Sequence, residues 1–288
     1  MSPFSPDISV FMAAIGIDLA IGEYPEAVHP VVWMGRITGI FDIKSSSKFT
    51  RFVLGGMLLA SDTAFWFFVA AASFKLPFYL TLIVQAFLLK SAFSIRALYE
   101  HTLRCQTDDI AKMRKAVSMM VSRNTSGLDK SHLISAALES LSENISDSVA
   151  SPLFYYLIFG LPAAMAYRTI NTLDAMIGYH TESFEWFGKP AAIADDIVNF
   201  IPARITALII ALFSPVAALE SIRKYAGAKL NAAYPMAAAS GVLGVWFEKS
   251  GFYRFDGREP EIYDIKRGLK LFRLVVAVIL LLAMVSLW

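Results

Sequence analysis

The chain of 288 residues holds a single cysteine, Cys105, which rules out an internal disulfide and a thiolate-built zinc or iron–sulfur centre. The expected place of that thiol is a small polar loop. Charge is also scarce: 17% of residues are charged and the formal net charge is +2, so the overall balance implies no polyanion and no nucleic-acid partner. A G-x-x-x-x-G-K-[ST] run is missing, so a nucleotide would not be held by a P-loop. No repeat of fixed period and no low-complexity tract breaks the chain, which reads as one integral domain over 1–288. The opening "MSPFSPDISVFMAAIGIDLAIG" has no basic leader and carries Asp18 inside its apolar run, which argues for a first membrane segment rather than a cleaved signal peptide.

What is abundant is grease. Hydrophobic residues make up 56% of the chain and the mean hydropathy is +0.54, too apolar for an ordinary soluble domain of this length. Candidate spans fall at 8–22, 52–74, 76–95, 150–167, 200–219 and 271–288, which predicts an all-α polytopic helical membrane protein with about five or six membrane segments. The second and third are joined by little more than Lys75, as a tight helical hairpin. The fourth is short and interrupted by Gly160 and Pro162, so it is either a full span or a re-entrant piece.

Basic residues orient these segments. The stretch 23–51 holds four Lys/Arg, 96–149 seven and 221–273 ten, against one in 74–77 and two in 168–199. This predicts cytoplasmic insertions at about 23–51, 96–149 and 221–270, and a multi-pass protein of the cell (cytoplasmic) membrane in contact with lipid. The same count puts 168–199 outside, in tension with a site reached from within.

The most conspicuous polar feature is "ESLSENISDSV", where Glu139, Glu143 and Asp147 recur every four residues with no lysine or arginine among them. On a helix they share one stripe opposite Leu133, Ile134, Ala137, Leu138, Leu141 and Ile145. Like charges at this spacing repel by a few tenths of a kcal/mol per pair, roughly, when exposed and by more when desolvated. Two readings follow: a solvated acidic face, or oxygen ligands for a divalent cation that bridges to phosphate. Further clusters lie in equally apolar surroundings. Arg168, Asn171 and Asp174 stand at three-residue steps; Asp195, Asp196 and Asn199 fall within one turn, with Arg204 after Pro202; His29 and Arg36 in "HPVVWMGR" could face an anion. Ionisable groups at membrane depth are costly and by default functional.

Taken together and in order, "GIDLAIGEYPEAVHPVVWMGR", "ALESLSENISDSVASPLFYY", "YRTINTLDAMIGY", "FGKPAAIADDIVNFIPARITAL" and "LNAAYPMAAASGVLGV" resemble the adenosylcobinamide-phosphate synthase family of cobalamin (vitamin B12) biosynthesis, over most of 15–260. The resemblance implies a membrane ligase that joins aminopropanol, usually as its phosphate, to a propionate carboxyl of adenosylcobyric acid, with ATP as co-substrate and Mg²⁺ as cofactor. It also implies a bacterial or archaeal source, and it makes the basic cytoplasmic surfaces candidate docking places for late enzymes of the pathway. Gly22-Glu23-Tyr24 stands where that family usually has Gly-Asp-Pro, and Leu230-Asn231-Ala232-Ala233 where it has Pro-Asn-Ala-Gly; these departures bear on which amino alcohol is accepted.

A carboxylate must be activated before an amine can displace its oxygen. On the ligase reading Glu139, Glu143 and Asp147 hold the metal, with Glu139 and Glu143 also counted as catalytic. Asn144 orients a ligand, and Arg168 and Arg204 neutralise phosphate oxygens. Asp174, Asp195 and Asp196 are the candidate bases for the amine proton. His29, Arg36, Asn171, Asn199 and Asn231 complete the candidate substrate contacts, with Tyr155, Tyr156, Tyr167 and Tyr179 either flanking the corrin or forming an interfacial belt. The rival classes are a transporter or channel built on intramembrane Asp, Asn and Arg, and a non-catalytic membrane relative.

Overall fold

The structure, a computed structural model, describes residues 4–36, 47–178 and 185–288. It is almost entirely helical, as the hydropathy pattern predicts. In chain order the helices are α1 (Ile8–Ile21), α2 (Pro30–Arg36), α3 (Lys48–Ala72), α4 (Phe78–Ala92), α5 (Arg96–Arg104), α6 (Ile110–Ser118), α7 (Lys130–Ile145), α8 (Ser151–Phe159), α9 (Leu161–Ile177), α10 (Lys189–Ala211), α11 (Pro215–Tyr225), α12 (Ala233–Leu243) and α13 (Ile262–Leu287). A two-residue hairpin, β1 (Glu248–Lys249) and β2 (Tyr253–Arg254), pairs antiparallel with Lys249 opposite Tyr253.

Local chemistry sets the ends of these helices. The Asp7 carboxylate accepts the backbone N–H groups of Ser9 and Val10 and so starts α1, which stops at Gly22 with φ +76. Asp109 and Asp129 cap α6 and α7 in the same way. The expected hairpin at 74–77 is present: a 3₁₀ turn, Ser73–Lys75, and then Leu76-Pro77 separate α3 from α4.

Among the described residues three segments are long and apolar enough to cross a bilayer, Lys48–Lys75, Phe78–Arg104 and Ile262–Leu287, while Ile8–Ile21 is a shorter apolar helix. The stretches expected to span at 150–167 and 200–219 are each interrupted. Gly160, at φ +80, separates α8 from α9; a Cβ there would lie 1.8 Å from the Phe4 carbonyl oxygen, so no other residue fits that approach. The second stretch is cut by the turn at Leu212–Ser214, after which Pro215 opens α11.

The backbone divides into two compact units. The first comprises Met1–Ser94, Ser151–Asn199 and Ala283–Trp288. In it α1 packs on α4, and α9 packs on α2, α3, α4 and α8. Leu58 of α3, Leu173 and Ile177 of α9, Phe187 and Ala191 form one of its buried apolar clusters. The second unit comprises Ile95–Ala150 and Phe200–Leu282, and so collects two of the three polar insertions expected from the sequence. Here α7 is central: it packs against α5, α6, α12 and β1, and buried residues lie all around it rather than on half a cylinder.

Candidate functional site

Three polar networks lie inside these two units, and each joins residues of the motif segments to other parts of the chain or to one another. The first links the C-terminal end of α1 to α4. Lys90 of α4 has no solvent exposure; its Nζ lies 3.4 Å from Asp18 Oδ1 and 3.2 Å from Glu23 Oε2, and 5.2 Å from the centre of the Tyr24 ring. Glu23 also accepts from the Ser94 hydroxyl at 2.5 Å and sits 2.7 Å from His29 Nε2. Because Val31 N–H donates to His29 Nδ1, Nε2 carries the ring proton and donates to Glu23. Burial works to raise the Glu23 carboxyl's pKa, but the His29 hydrogen bond, the Lys90 charge and Ser94 outweigh it and pull the value down to about 2. The anion expected for His29 is therefore the protein's own Glu23. Arg36, the last residue of α2, is exposed.

The second network joins α9 to α10 in the same unit. Arg168 Nη1 donates to Asn171 Oδ1 at 3.4 Å, Asn171 Nδ2 to Asp195 Oδ1 at 3.1 Å, and Asn199 Nδ2 to Asp195 Oδ2 at 2.9 Å. Asn199 Oδ1 in turn accepts from Ser151 and Tyr167, both at 2.8 Å. Both Asp195 oxygens accept amide N–H groups. Asp196, its neighbour, is exposed, and Asp174 is half-buried with its carboxylate close against Gly178. The tyrosines expected beside a corrin are mostly core. Tyr167 serves Asn199; Tyr156 is buried and its hydroxyl both accepts from Asp7 N–H and donates to Asp7 C=O; Tyr155 donates to Val198 C=O and stacks on Tyr167. Tyr179 lies outside the described residues.

The third network surrounds the acidic stripe in the second unit, and here the structure corrects the sequence reading. Glu139 is 5% exposed and fully engaged: Oε1 accepts from Arg123 Nη2 at 3.0 Å and Ser135 Oγ at 2.7 Å, and Oε2 accepts from the Tyr253 hydroxyl at 2.7 Å. Arg123 is anchored as well, through Nη1 to the Glu248 carbonyl at 3.0 Å. Glu143 is paired more loosely, its two oxygens 3.5 and 3.4 Å from Lys229 Nζ. Asp147 is carried away from a strict four-residue repeat because α7 is followed by a π-turn, Ser146–Ala150. Asn144 braces that turn rather than pointing to a ligand: its Nδ2 donates to Ser140 C=O at 2.9 Å, and its Oδ1 accepts from Ser148 at 3.1 Å. Among the described residues no three of His, Cys, Asp and Glu converge as metal ligands. The three carboxylates thus do not converge on one point among the described residues, and a half-buried arginine already neutralises the first of them.

Tyr253 and Lys249, cross-strand partners, complete this network. Burial, then the Glu139 charge, pushes the Tyr253 phenol well above its ordinary pKa. Burial, then the charges of Lys229 and Arg123, lowers that of the half-buried Lys249. Nearby, Arg204 Nη1 donates to Phe200 C=O at 2.5 Å and Asn231 Oδ1 at 3.3 Å, with the guanidinium stacked 3.4 Å from the Phe200 ring centre and 4.1 Å from that of Tyr234. Sequence reading missed Lys90, Arg123, Lys229, Lys249 and Tyr253. All five are isolated in the sequence, and only Lys90, a cation inside an apolar run, carried a signal that could have been used. Cys105 is buried against Met120 at the end of α5, not in a polar loop, and burial raises its thiol pKa to about 11.

Comparison with known proteins gives one consistent result. The sequence pattern of the family described as CobD/Cbib protein matches residues 11–278. The chain is 50% identical over 282 residues to the probable cobalamin biosynthesis protein CobD of Thermococcus kodakarensis, covering 95% of each chain. It is 49% identical to that of Pyrococcus furiosus, covering 96% of this chain and 97% of the relative, and 37% identical to the cobalamin biosynthesis protein CobD of Dehalococcoides mccartyi, covering 85% of each. No solved structure matches the chain.

Proposed function

The chain belongs to the CobD/Cbib protein family, and from that premise we propose that it works in cobalamin biosynthesis as an adenosylcobinamide-phosphate synthase. The reaction is ATP-dependent ligation of aminopropanol phosphate, or aminopropanol, to a propionate carboxyl of adenosylcobyric acid, at the cytoplasmic face of the cell membrane. One observation carries this reading: each motif segment that resembles the synthase family contributes polar side chains to buried or half-buried hydrogen-bond and ion-pair contacts. "GIDLAIGEYPEAVH" supplies Asp18, Glu23 and His29, "ALESLSENISDSV" supplies Glu139 and Glu143, "YRTIN" and "ADDIVNF" supply Arg168, Asn171, Asp195 and Asn199, and "LNAAYPM" supplies Asn231 and Tyr234. Buried polar groups at this density are expensive, and a purely structural membrane bundle has no use for them.

In this reading the propionate oxygen attacks the γ-phosphorus of ATP, ADP leaves, and the resulting acyl phosphate is opened by the amine with release of inorganic phosphate. Bound with the nucleotide, Mg²⁺ would supply charge compensation for the phosphates. Glu143 is the carboxylate suited to take the proton from the attacking amine, because Lys229, the cation that pairs with it among the described residues, stays at 3.4 Å and Glu143 remains about one-third exposed. Arg204, stacked and with only Nη1 of its guanidinium donating among the described residues, is suited to a phosphate oxygen. In the first unit Asp195, with Arg168, Asn171 and Asn199, fixes polar substrate groups, and Asp174 and Asp196 flank it. The test is direct: purified protein in detergent with adenosylcobyric acid, ATP and Mg²⁺ forms the amide, detected by mass, when given aminopropanol phosphate or aminopropanol. Uptake of a corrinoid or an ion into liposomes without any amide product would instead establish the transporter reading.

A further inference from the structure

The third network holds more positive charge than its carboxylates use. Arg123 is taken up by Glu139, and the carboxylate of Glu248 lies 3.0 Å from Arg254 Nη1 as an ion pair. Lys229 is held by Glu143 at 3.4 Å, longer than the roughly 2.7–2.9 Å of a good charge-assisted bond. Lys249 has no carboxylate within ion-pair distance among the described residues; its ammonium lies over the Phe252 ring at 4.7 Å. Yet Lys249 is half-buried, its strand partner Tyr253 donates to Glu139, and it lies within the electrostatic reach of the cations Lys229 and Arg123 as well as of Glu139 and Glu143. With Arg254, four cations face the three carboxylates of Glu139, Glu143 and Glu248, and an unmatched positive charge in a partly desolvated place is unfavourable unless an anion completes it.

We infer that Arg123, Lys229 and Lys249 form a seat for a phosphate monoester dianion, and that Glu143, beside the seat, receives the ammonium at the other end of the same small molecule. The ligand class is an aminoalkyl phosphate. The inference rests on the ligase reading for the identity of the substrate, but the seat itself rests on the contacts and charges of the network. Lys249 supplies the uncommitted charge, Lys229 can exchange its long contact with Glu143 for a phosphate oxygen, and Arg123, pinned by Glu139 and the Glu248 carbonyl, fixes the position of the third cation. This also accounts for the weak Glu143–Lys229 pairing: a tight pair would close the seat against both ends of the ligand.

The test is a binding measurement that needs no turnover. Inorganic phosphate and O-phosphoethanolamine are titrated against the full chain in phospholipid-free detergent, with the fluorescence of the buried Trp246, on the same hairpin segment, as readout. Saturable binding of both is expected, tighter for O-phosphoethanolamine, whereas ethanolamine does not bind. Lys249→Met should weaken inorganic phosphate binding by about ten- to hundredfold, the loss of one charged hydrogen bond. Lys224→Met, at an exposed lysine paired with Asp256, should leave it unchanged. Protection of Cys105 from thiol reagents verifies that each variant is folded, and Lys229→Gln gives a second, independent reading of the seat. Absence of saturable phosphate binding, or equal affinity in Lys249→Met and Lys229→Gln, overturns the proposal. So does displacement of bound phosphate by phosphatidylglycerol in nanodiscs at its bilayer concentration, which would make the seat one for lipid headgroups. Amide synthesis in a protein that does not bind phosphate would remove the seat and leave the ligase reading; phosphate binding without amide synthesis would do the reverse.

Discussion

Replacing Arg123 with methionine isolates the interaction that distinguishes a neutralised carboxylate from an open metal ligand. Glu139 is 5% exposed and depends on Arg123 for its only cation within 4 Å among the described residues. Removing the guanidinium leaves a buried carboxylate with two hydroxyl donors and no counter-charge, which typically costs about 3–5 kcal/mol. Glu139→Gln keeps most of the shape and strands an arginine that is 17% exposed and still donates to the Glu248 carbonyl; about 1–3 kcal/mol is expected. The double variant should therefore cost at least about 2 kcal/mol less than the sum of the two singles. Cys105 provides the assay. It is the only thiol in the chain, is buried, and contacts Met120, whose carbonyl accepts from Ser140 of α7 three residues before Arg123. Opening of this region exposes the thiol, so labelling rates report its free energy. A loss of 3 kcal/mol corresponds to roughly a hundredfold faster labelling. An Arg123→Met rate within a factor of about five of wild type, strictly additive single variants, or full restoration of protection by Mg²⁺ would refute the reasoning.

Other consequences can be measured alongside it. Gly160→Ala should destabilise the first unit by about 2 kcal/mol or more, since a side chain at positive φ must also displace the Phe4 carbonyl; a thermal midpoint in detergent equal to wild type would contradict this. Tyr156→Phe removes the two hydrogen bonds that tie the buried ring to Asp7 and should cost about 1–3 kcal/mol, read as a lower thermal midpoint of the full chain. Glu23 is ionised in the folded protein down to about pH 2, against an ordinary value of 4.5, so its tether to His29 and Lys90 is fully present above pH 4.5 and is lost as pH falls toward 2. The stability gap between wild type and Glu23→Gln should accordingly shrink over that window; a gap independent of pH from 7 to 3 would show that the tether contributes nothing.

Much of the architecture was legible because hydropathy and chain breakers act locally. The hairpin around Lys75, the interruption at Gly160-Pro162 and the long apolar helices need only neighbouring residues to be read. The site was harder, since its geometry depends on partners that are far apart in sequence. The helical wheel isolates Glu139, Glu143 and Asp147 correctly as a stripe, but it cannot show that Arg123 arrives from 16 residues before Glu139, or Lys229 from 86 residues after Glu143. Nor does it register the π-turn, which depends on how Asn144 and Ser148 bond to each other and to the preceding turn. By contrast, the relation of Asn171 to Asp195 and Asn199 follows from two short polar motifs on neighbouring helices, and both were visible. His29 was noticed as a group that could face an anion, and the pattern alone does not show that Glu23, six residues before it, is an anion within its reach.

The central claim is that the carboxylates and cations of these motif segments perform an ATP-driven amide ligation. Parallel quantification of ADP and amide product from adenosylcobyric acid and aminopropanol phosphate, in wild type and Glu143→Gln, tests it most directly. The account predicts one ADP per amide in wild type, and loss of product in the variant while Cys105 stays protected. Product formation by Glu143→Gln at the wild-type rate would contradict it.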